Sequence, residues 1–332
     1  MSLATLRQGG GSSLAPATTR PAAAEWRPAF DRRHTLAVAA VLVACMAMAV
    51  GAPAGVSGAT GGVLLVGGAL IGMPHGSSDF VVAYRAMAPR FGRGWLPVFL
   101  CAYLAVVAAM VLGWSLAPRA TFLVFLLVSG FHFGASEAAA RDVDDPLRYV
   151  ARALTPVLPI FLLHPQAVAG IIGLMSQDGS ATVVATLETC RIPGLALYAA
   201  LLGRVGWRAI AAAPYGSSRR AEAVELLLLA AAAALLPPFV TFAIYFCLLH
   251  AVRHMAELGG ALYPRDGRAA LGVVAAIVVP SALVCAGLLL WGWSALAGHM
   301  PTEPLLALAL QVTAALTVPH LMLEWWAARE AA

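Results

Sequence analysis

The chain has 332 residues, of which 61% are hydrophobic and only 11% charged, with a formal net charge of +5 and a mean hydropathy of +0.84. A soluble domain of this size carries about a quarter charged residues, so the composition excludes an ordinary globular protein and a soluble domain with one anchor. All 21 basic residues are arginine and lie between apolar runs, which excludes a nucleic-acid-binding patch; the five cysteines (Cys45, Cys101, Cys190, Cys247, Cys285) contain no CxxC spacing and predict neither a disulfide framework nor a zinc site.

In chain order, residues 1–34 form a Gly/Ser/Ala/Pro-rich stretch containing Arg7, Arg20, Arg27, Arg32 and Arg33, predicted to be a disordered cytoplasmic tail. Residues 35–328 are expected to make one transmembrane domain. Apolar runs occur near 36–55, 61–84, 95–117, 120–140, 150–173, 193–212, 222–237, 239–258, 269–292 and 304–326. Each longer run can cross a hydrocarbon core of about 30 Å, so the fold class is all-α, a polytopic transmembrane bundle of about eight to ten helices. Gly68, Gly72 and Gly76, at i, i+4 and i+8, predict a flat face for close helix packing. Pro237-Pro238 predicts the bend of a tight hairpin. With ten spans and a cytoplasmic N-terminus, nineteen arginines fall inside and two, Arg119 and Arg191, outside. That bias predicts a multi-pass protein of the cell inner membrane with both termini cytoplasmic.

The eight histidines divide into two groups. His34, His164 and His299 stand at helix edges or beside proline. The other five lie inside apolar runs, where an ionisable side chain is a functional candidate. Their contexts are Gly72-Met-Pro-His75-Gly-Ser-Ser-Asp79, Phe131-His132-Phe-Gly134-Ala-Ser-Glu137, His250-Ala-Val-Arg253-His254-Met-Ala-Glu257 and Pro319-His320-Leu-Met-Leu-Glu324. All four host spans run in the same direction. The histidines come about 11 to 16 residues after each start, or ~17–24 Å at 1.5 Å per residue, which predicts one shared layer. His250 and His254 share a helical face, the usual way for one helix to give two metal ligands. Imidazole suits Fe, Cu, Zn or Ni, and spacing does not choose among them. Asp79, Glu137, Glu257 and Glu324 follow the histidines by three to five residues and are expected to accept a second ring N–H from behind the ligands. The plain alternative is hydrogen bonding between packed helices; five histidines in one layer favour the metal.

These motifs resemble the Brp/Blh family of membrane β-carotene 15,15'-dioxygenases. The likeness rests on Pro74-His75-Gly76 with Asp79, on His132-Phe133-Gly134, on His250-x-x-Arg253-His254 and on Pro319-His320, and it spans about residues 60–326. Phe80 and Ala251 depart from the family's pattern. The resemblance implies a dioxygenase that cleaves the central double bond of β-carotene with O2, using Fe(2+), to give two all-trans-retinal molecules for retinal biosynthesis. It assigns the iron to His75, His132, His250 and His254. His320 receives no ligand role and is expected, with Asp79, Glu257, Glu324 and Glu137, to support the ligands without touching iron, since a fifth ligand would leave a single open position. The expected partners are a carotenoid, O2 and membrane lipid, with no nucleic acid, and a retinal-binding opsin is a candidate consumer of the product. Phe131, Phe133, Tyr245, Phe246, Trp325 and Trp326 are candidates for lining an apolar tunnel. Three other readings compete. Another membrane non-haem iron oxidase would need more His clusters than the single HxxxH here. A b-type haem electron carrier would show a haem band, and a transporter would use the His/carboxylate pairs as a proton relay.

Overall fold

The computed structural model describes residues 24–51, 72–140, 145–176, 180–211, 217–296 and 302–330. Among the described residues there are helices and turns but no strand. Helix α1 spans Arg27–Gly51. A 3-10 turn, Met73–Ser78, leads into α2, Asp79–Phe91, and Gly92–Gly94 joins it to α3, Trp95–Leu116. Gly92 has φ 53°, a conformation that favours glycine and that stops α2. Next come α4, Pro118–Ala140, α5, Pro146–Leu154, α6, Leu158–Leu163, and α7, Pro165–Ser176. Helix α8 is Ser180–Ala211 and α9 is Ser217–Leu235. Helix α10, Pro238–Ala243, continues through a π-turn, Ile244–His250, into α11, Ala251–Leu262. Helices α12, Gly267–Leu296, and α13, Thr302–Glu330, complete the described chain.

Five segments of the described residues are long and apolar enough to cross a membrane: Arg27–Gly51, Pro74–Leu116, Pro118–Ser136, Pro238–Leu262 and Gly267–Gly287. The protein is therefore an all-α polytopic membrane protein. Apolar side chains as large as Leu116 and Ile192 are three-quarters or more exposed, which suits a hydrocarbon solvent and not water. Burial separates centre from edge. The most apolar window of Pro238–Leu262 is 67% buried, against 6% for Gly267–Gly287. The histidine-bearing pair α10–α11 is thus the middle of the bundle. Val38 and Leu42 of α1, Phe133 of α4, and Leu229 and Leu236 of α9 pack on it with Ile244 and Leu249. Helix α13 closes the other side, against α2, α3, α4 and α7.

Four expectations are corrected. The span foreseen at 150–173 is three short helices, because Pro156, Pro159 and Pro165 each remove a backbone donor and break the ladder. The loop foreseen before residue 193 is helical from Ser180, so Arg191 lies within α8, exposed and 3.5 Å from Glu188. The tail foreseen at 1–34 ends earlier. Residues 1–23 lie outside the described residues, but α1 begins at Arg27, and the Trp26 indole N–H donates to the Tyr263 carbonyl at 3.1 Å. His75, foreseen within a helix, sits in the 3-10 turn before α2. The Pro237-Pro238 bend is as expected: α9 stops at Leu235, and the Thr241 hydroxyl donates to the Ala232 carbonyl across the corner at 3.1 Å. Of the glycine triplet, Gly68 lies outside the described residues and Gly76 faces open space. Gly72 is the close approach, since a Cβ there would come within 2.6 Å of the Phe246 ring.

Candidate metal centre and apolar cavity

The five intramembrane histidines are all buried. His75 is turned inward by its own backbone: its Nδ1–H donates to the Gly72 carbonyl, leaving Nε2 as the acceptor nitrogen. His132 stands in the second half of α4. His250 ends the π-turn, where the Ala251 N–H bonds to the Phe246 carbonyl five residues back. Such a turn inserts one residue and leaves carbonyls short of partners. The Nε2–H of His34, from α1, meets the Leu248 carbonyl at 2.7 Å. His254 follows one turn later, and His320 follows Pro319 in α13.

These side chains converge. In eight pairings among the five histidines the ring centres are 5.0–6.5 Å apart. His132 Nε2 and His250 Nε2 are 3.2 Å apart. Imidazoles sharing one ion at about 2.0–2.1 Å have adjacent ligating nitrogens about 3 Å apart and ring centres about 4.5–6.4 Å apart. His320 Nε2 is buried with no hydrogen-bond partner; His250 Nδ1 is unpartnered too, but on the far side of its ring from the nitrogen that meets His132. Unpaired buried polar atoms are costly in a protein alone and are expected where a ligand completes the site. The residues present therefore fit a metal ion.

Two carboxylates serve the cluster, and each reaches across helices. Asp79 Oδ1 accepts from His320 Nδ1–H at 2.5 Å, so its partner is not the neighbouring His75. Glu324 lies 2.9 Å from His254 Nε2 and 3.4 Å from His132 Nδ1, while His320 Nε2 is 3.9 Å away. Ser78, which the sequence motifs do not single out, holds its hydroxyl 3.4 Å from His254 Nε2 and 2.7 Å from the His75 carbonyl. Glu257 is 3.8 Å from Arg27 and partly exposed. The side chain of Glu137 lies outside the described residues, as does His299. His164 donates to the Ala233 carbonyl at 2.7 Å, a packing role.

A cavity of about 400 Å3 opens on His75, His132, His250 and His320. Its walls are apolar, with Phe122, Phe125, Phe161, Phe242 and Phe246 prominent. Along α4 the wall runs from Phe122 to His132, about 15 Å at 1.5 Å per residue, and along α13 from Thr313 to His320, about 10 Å. The histidines therefore close one end of a greasy pocket. Of the aromatic candidates, Phe133 and Phe246 line it. Phe131 and Trp325 are half exposed, Tyr245 is buried against Phe133 and His250, and Trp326 packs with α2 and α3.

A second buried ionic group, missed in the sequence, holds α5, α9 and α11 together. Glu222 accepts from Arg148 Nε at 2.9 Å and from Arg152 Nε at 2.7 Å. Glu225 is gripped bidentately by Arg253, which also donates to Thr35 of α1 at 2.9 Å. The spacings 148/152 and 222/225 place each pair on one helical face, which is the signal that could have revealed it.

Residues 66–327 match the family model described as beta-carotene 15,15'-dioxygenase, a range holding all five clustered histidines. The chain belongs to this family. It is accordingly an enzyme of the dioxygenase class, and the resemblance read from the motifs agrees. The probable beta-carotene 15,15'-dioxygenase Blh of Halobacterium salinarum is 27% identical, with 89% of this chain and 93% of that protein covered. The beta-carotene 15,15'-dioxygenase of the uncultured marine bacterium 66A03 is 26% identical, covering 76% and 88%. No solved structure matches the chain.

Proposed function

We propose that this chain cleaves the central 15,15' double bond of β-carotene with O2, giving two molecules of all-trans-retinal, at an Fe(II) ion held by His75, His132, His250 and His254. The observation that carries the reading is the convergence of buried imidazoles at the closed end of an apolar pocket. The relatives' names supply the reaction. Cleavage breaks one C=C bond and the O–O bond and gives each carbon one oxygen atom, with no net proton transfer. Bound Fe(II) supplies the electrons that activate O2.

The chain's own groups do the positioning. The Gly72 carbonyl and the Asp79 and Glu324 carboxylates take ring N–H groups of His75, His320, His254 and His132 and hold those rings in single tautomers and orientations. The phenylalanine walls bind a polyene that offers no polar handle and keep water from the reacting carbons. A pocket at membrane depth receives a lipid-dissolved substrate without passing it through water. A retinal-binding opsin would then be the class of consumer for the product.

The same reading takes residues 35–328, extended back to Arg27, as one catalytic domain in the inner membrane with both termini cytoplasmic. Segments expected inside meet one another in two places, where Arg208 pairs with Asp145 and Arg265 approaches Glu25 at 3.9 Å, which supports this topology. Reporter fusions at Gly10 and Glu330 test the orientation; a periplasmic signal at either would overturn it. The function is tested by expression in β-carotene-producing bacteria. Colour loss with retinal accumulating is expected, and intact carotene beside an inserted, iron-loaded protein refutes the proposal.

A further inference from the structure

We infer that His320 is itself a ligand of the metal, through Nε2, with Asp79 as the carboxylate that orients it. This rests on the reading that the cluster binds a metal ion, and it departs from the expectation that His320 stands behind the ligands. Four observations carry it. The His320 ring centre is 5.1 Å from that of His75 and 5.5 Å from those of His132 and His254, inside the range for imidazoles around one ion. Its Nδ1 is taken by Asp79 Oδ1 at 2.5 Å, which fixes the proton there and leaves Nε2 as the lone-pair nitrogen. That Nε2 is buried and has no hydrogen-bond partner. Finally, His320 lines the cavity beside His75, His132 and His250, whereas His254 stands behind the wall with Ser78 and Glu324.

A histidine held at one nitrogen by a carboxylate and bare at the other is the pattern of a metal ligand with its supporting group. A packing histidine would use both nitrogens, as buried polar atoms ordinarily do. A fifth nitrogen ligand would be compatible with the proposed reaction, because a hydrocarbon substrate has no atom that needs a coordination position. Asp79 in turn gives the cluster a negative charge that raises the donor strength of His320. The pairing also ties the start of α2 to α13, so the ligand from α13 is set against the turn that carries His75.

The experiment uses purified full-length protein titrated with Co(II), whose visible absorption reports ligand number and type, alongside iron content by elemental analysis. His320→Ala should lower Co(II) affinity by about a hundredfold or more and alter the absorption band, and added imidazole, entering by the cavity, should restore it. Asp79→Asn keeps a hydrogen-bond acceptor but not the charge, and should weaken affinity by about ten- to hundredfold. Wild-type affinity and an unchanged spectrum in His320→Ala would overturn the inference while leaving the proposed function standing. A wild-type protein that binds neither Co(II) nor Fe(II) would overturn both. Should His320→Ala fail to fold, His320→Gln carries the same test: unaltered metal binding in that folded variant decides against the ligand role, and unaltered binding in Asp79→Asn decides against the orienting role of Asp79.

Discussion

Two buried groups of ionisable side chains sit close together in this bundle and are built in opposite ways. In the arginine–glutamate group, Glu222 lies between two guanidinium groups and Glu225 is bound bidentately by a third. Opposite charges meet at hydrogen-bond distance, and the arrangement joins α5, α9 and α11. In the histidine group the charges are few and the unused atoms are many: His250 Nδ1, His320 Nε2 and Asp79 Oδ2 have no hydrogen-bond partner. Charges taken from water must be offset within the fold, and in the first group each carboxylate meets guanidinium groups at hydrogen-bond distance. Neutral imidazoles can be gathered more cheaply and left with lone pairs facing one point, which is what a bound cation requires. One cluster ties helices together by charge; the other gathers imidazoles around one point.

The contrast can be broken by substitution. The largest effect is expected at the histidines: His250→Ala should remove the metal and abolish retinal formation, while the protein still elutes as a single folded species in detergent. Loss of folding in step with loss of metal would make the two clusters alike. Glu222→Leu should do the reverse. It removes the carboxylate that Arg148 and Arg152 share, and removing one partner of a buried pair destabilises by about 3–5 kcal/mol. A drop in the thermal midpoint is expected, with metal content per folded molecule unchanged; a wild-type midpoint would show that the network carries no stability. Ile172→Trp narrows the cavity away from the histidines. A pocket change of this kind should lower kcat/KM for β-carotene by about ten- to hundredfold with Co(II) affinity intact. Equal activity would show that the substrate lies elsewhere. The smallest effect belongs to the exposed pair Arg191–Glu188 on α8, where Arg191→Ala should shift stability by no more than about 0.5 kcal/mol. A larger shift would mean that this exposed pair is buried in the membrane-embedded protein.

Much of the fold is legible in the hydropathy pattern, because apolar runs of sufficient length have few alternatives to a membrane helix. The pattern misleads where proline interrupts a run. Residues 150–173 have the hydropathy of one span, but Pro156, Pro159 and Pro165 divide them into short helices. The layer of histidines is legible for a related reason: an ionisable group inside an apolar run stands out, and helical rise converts position into depth. The pairings are not legible. Asp79 follows His75 by four residues yet bonds His320, 241 residues away, and Glu324 turns from His320 toward His254 and His132.

By itself, then, the sequence determined that the chain lives in a membrane and that five histidines share a depth. Only the tertiary structure decided which nitrogens face one another, which histidines line the cavity and which carboxylate serves which ring. The physical reason is rotation. Residue spacing defines the face of a helix that a side chain occupies, but the direction of that face is set by how neighbouring helices pack, by the extra residue of the π-turn and by the 3-10 turn that aims His75 inward.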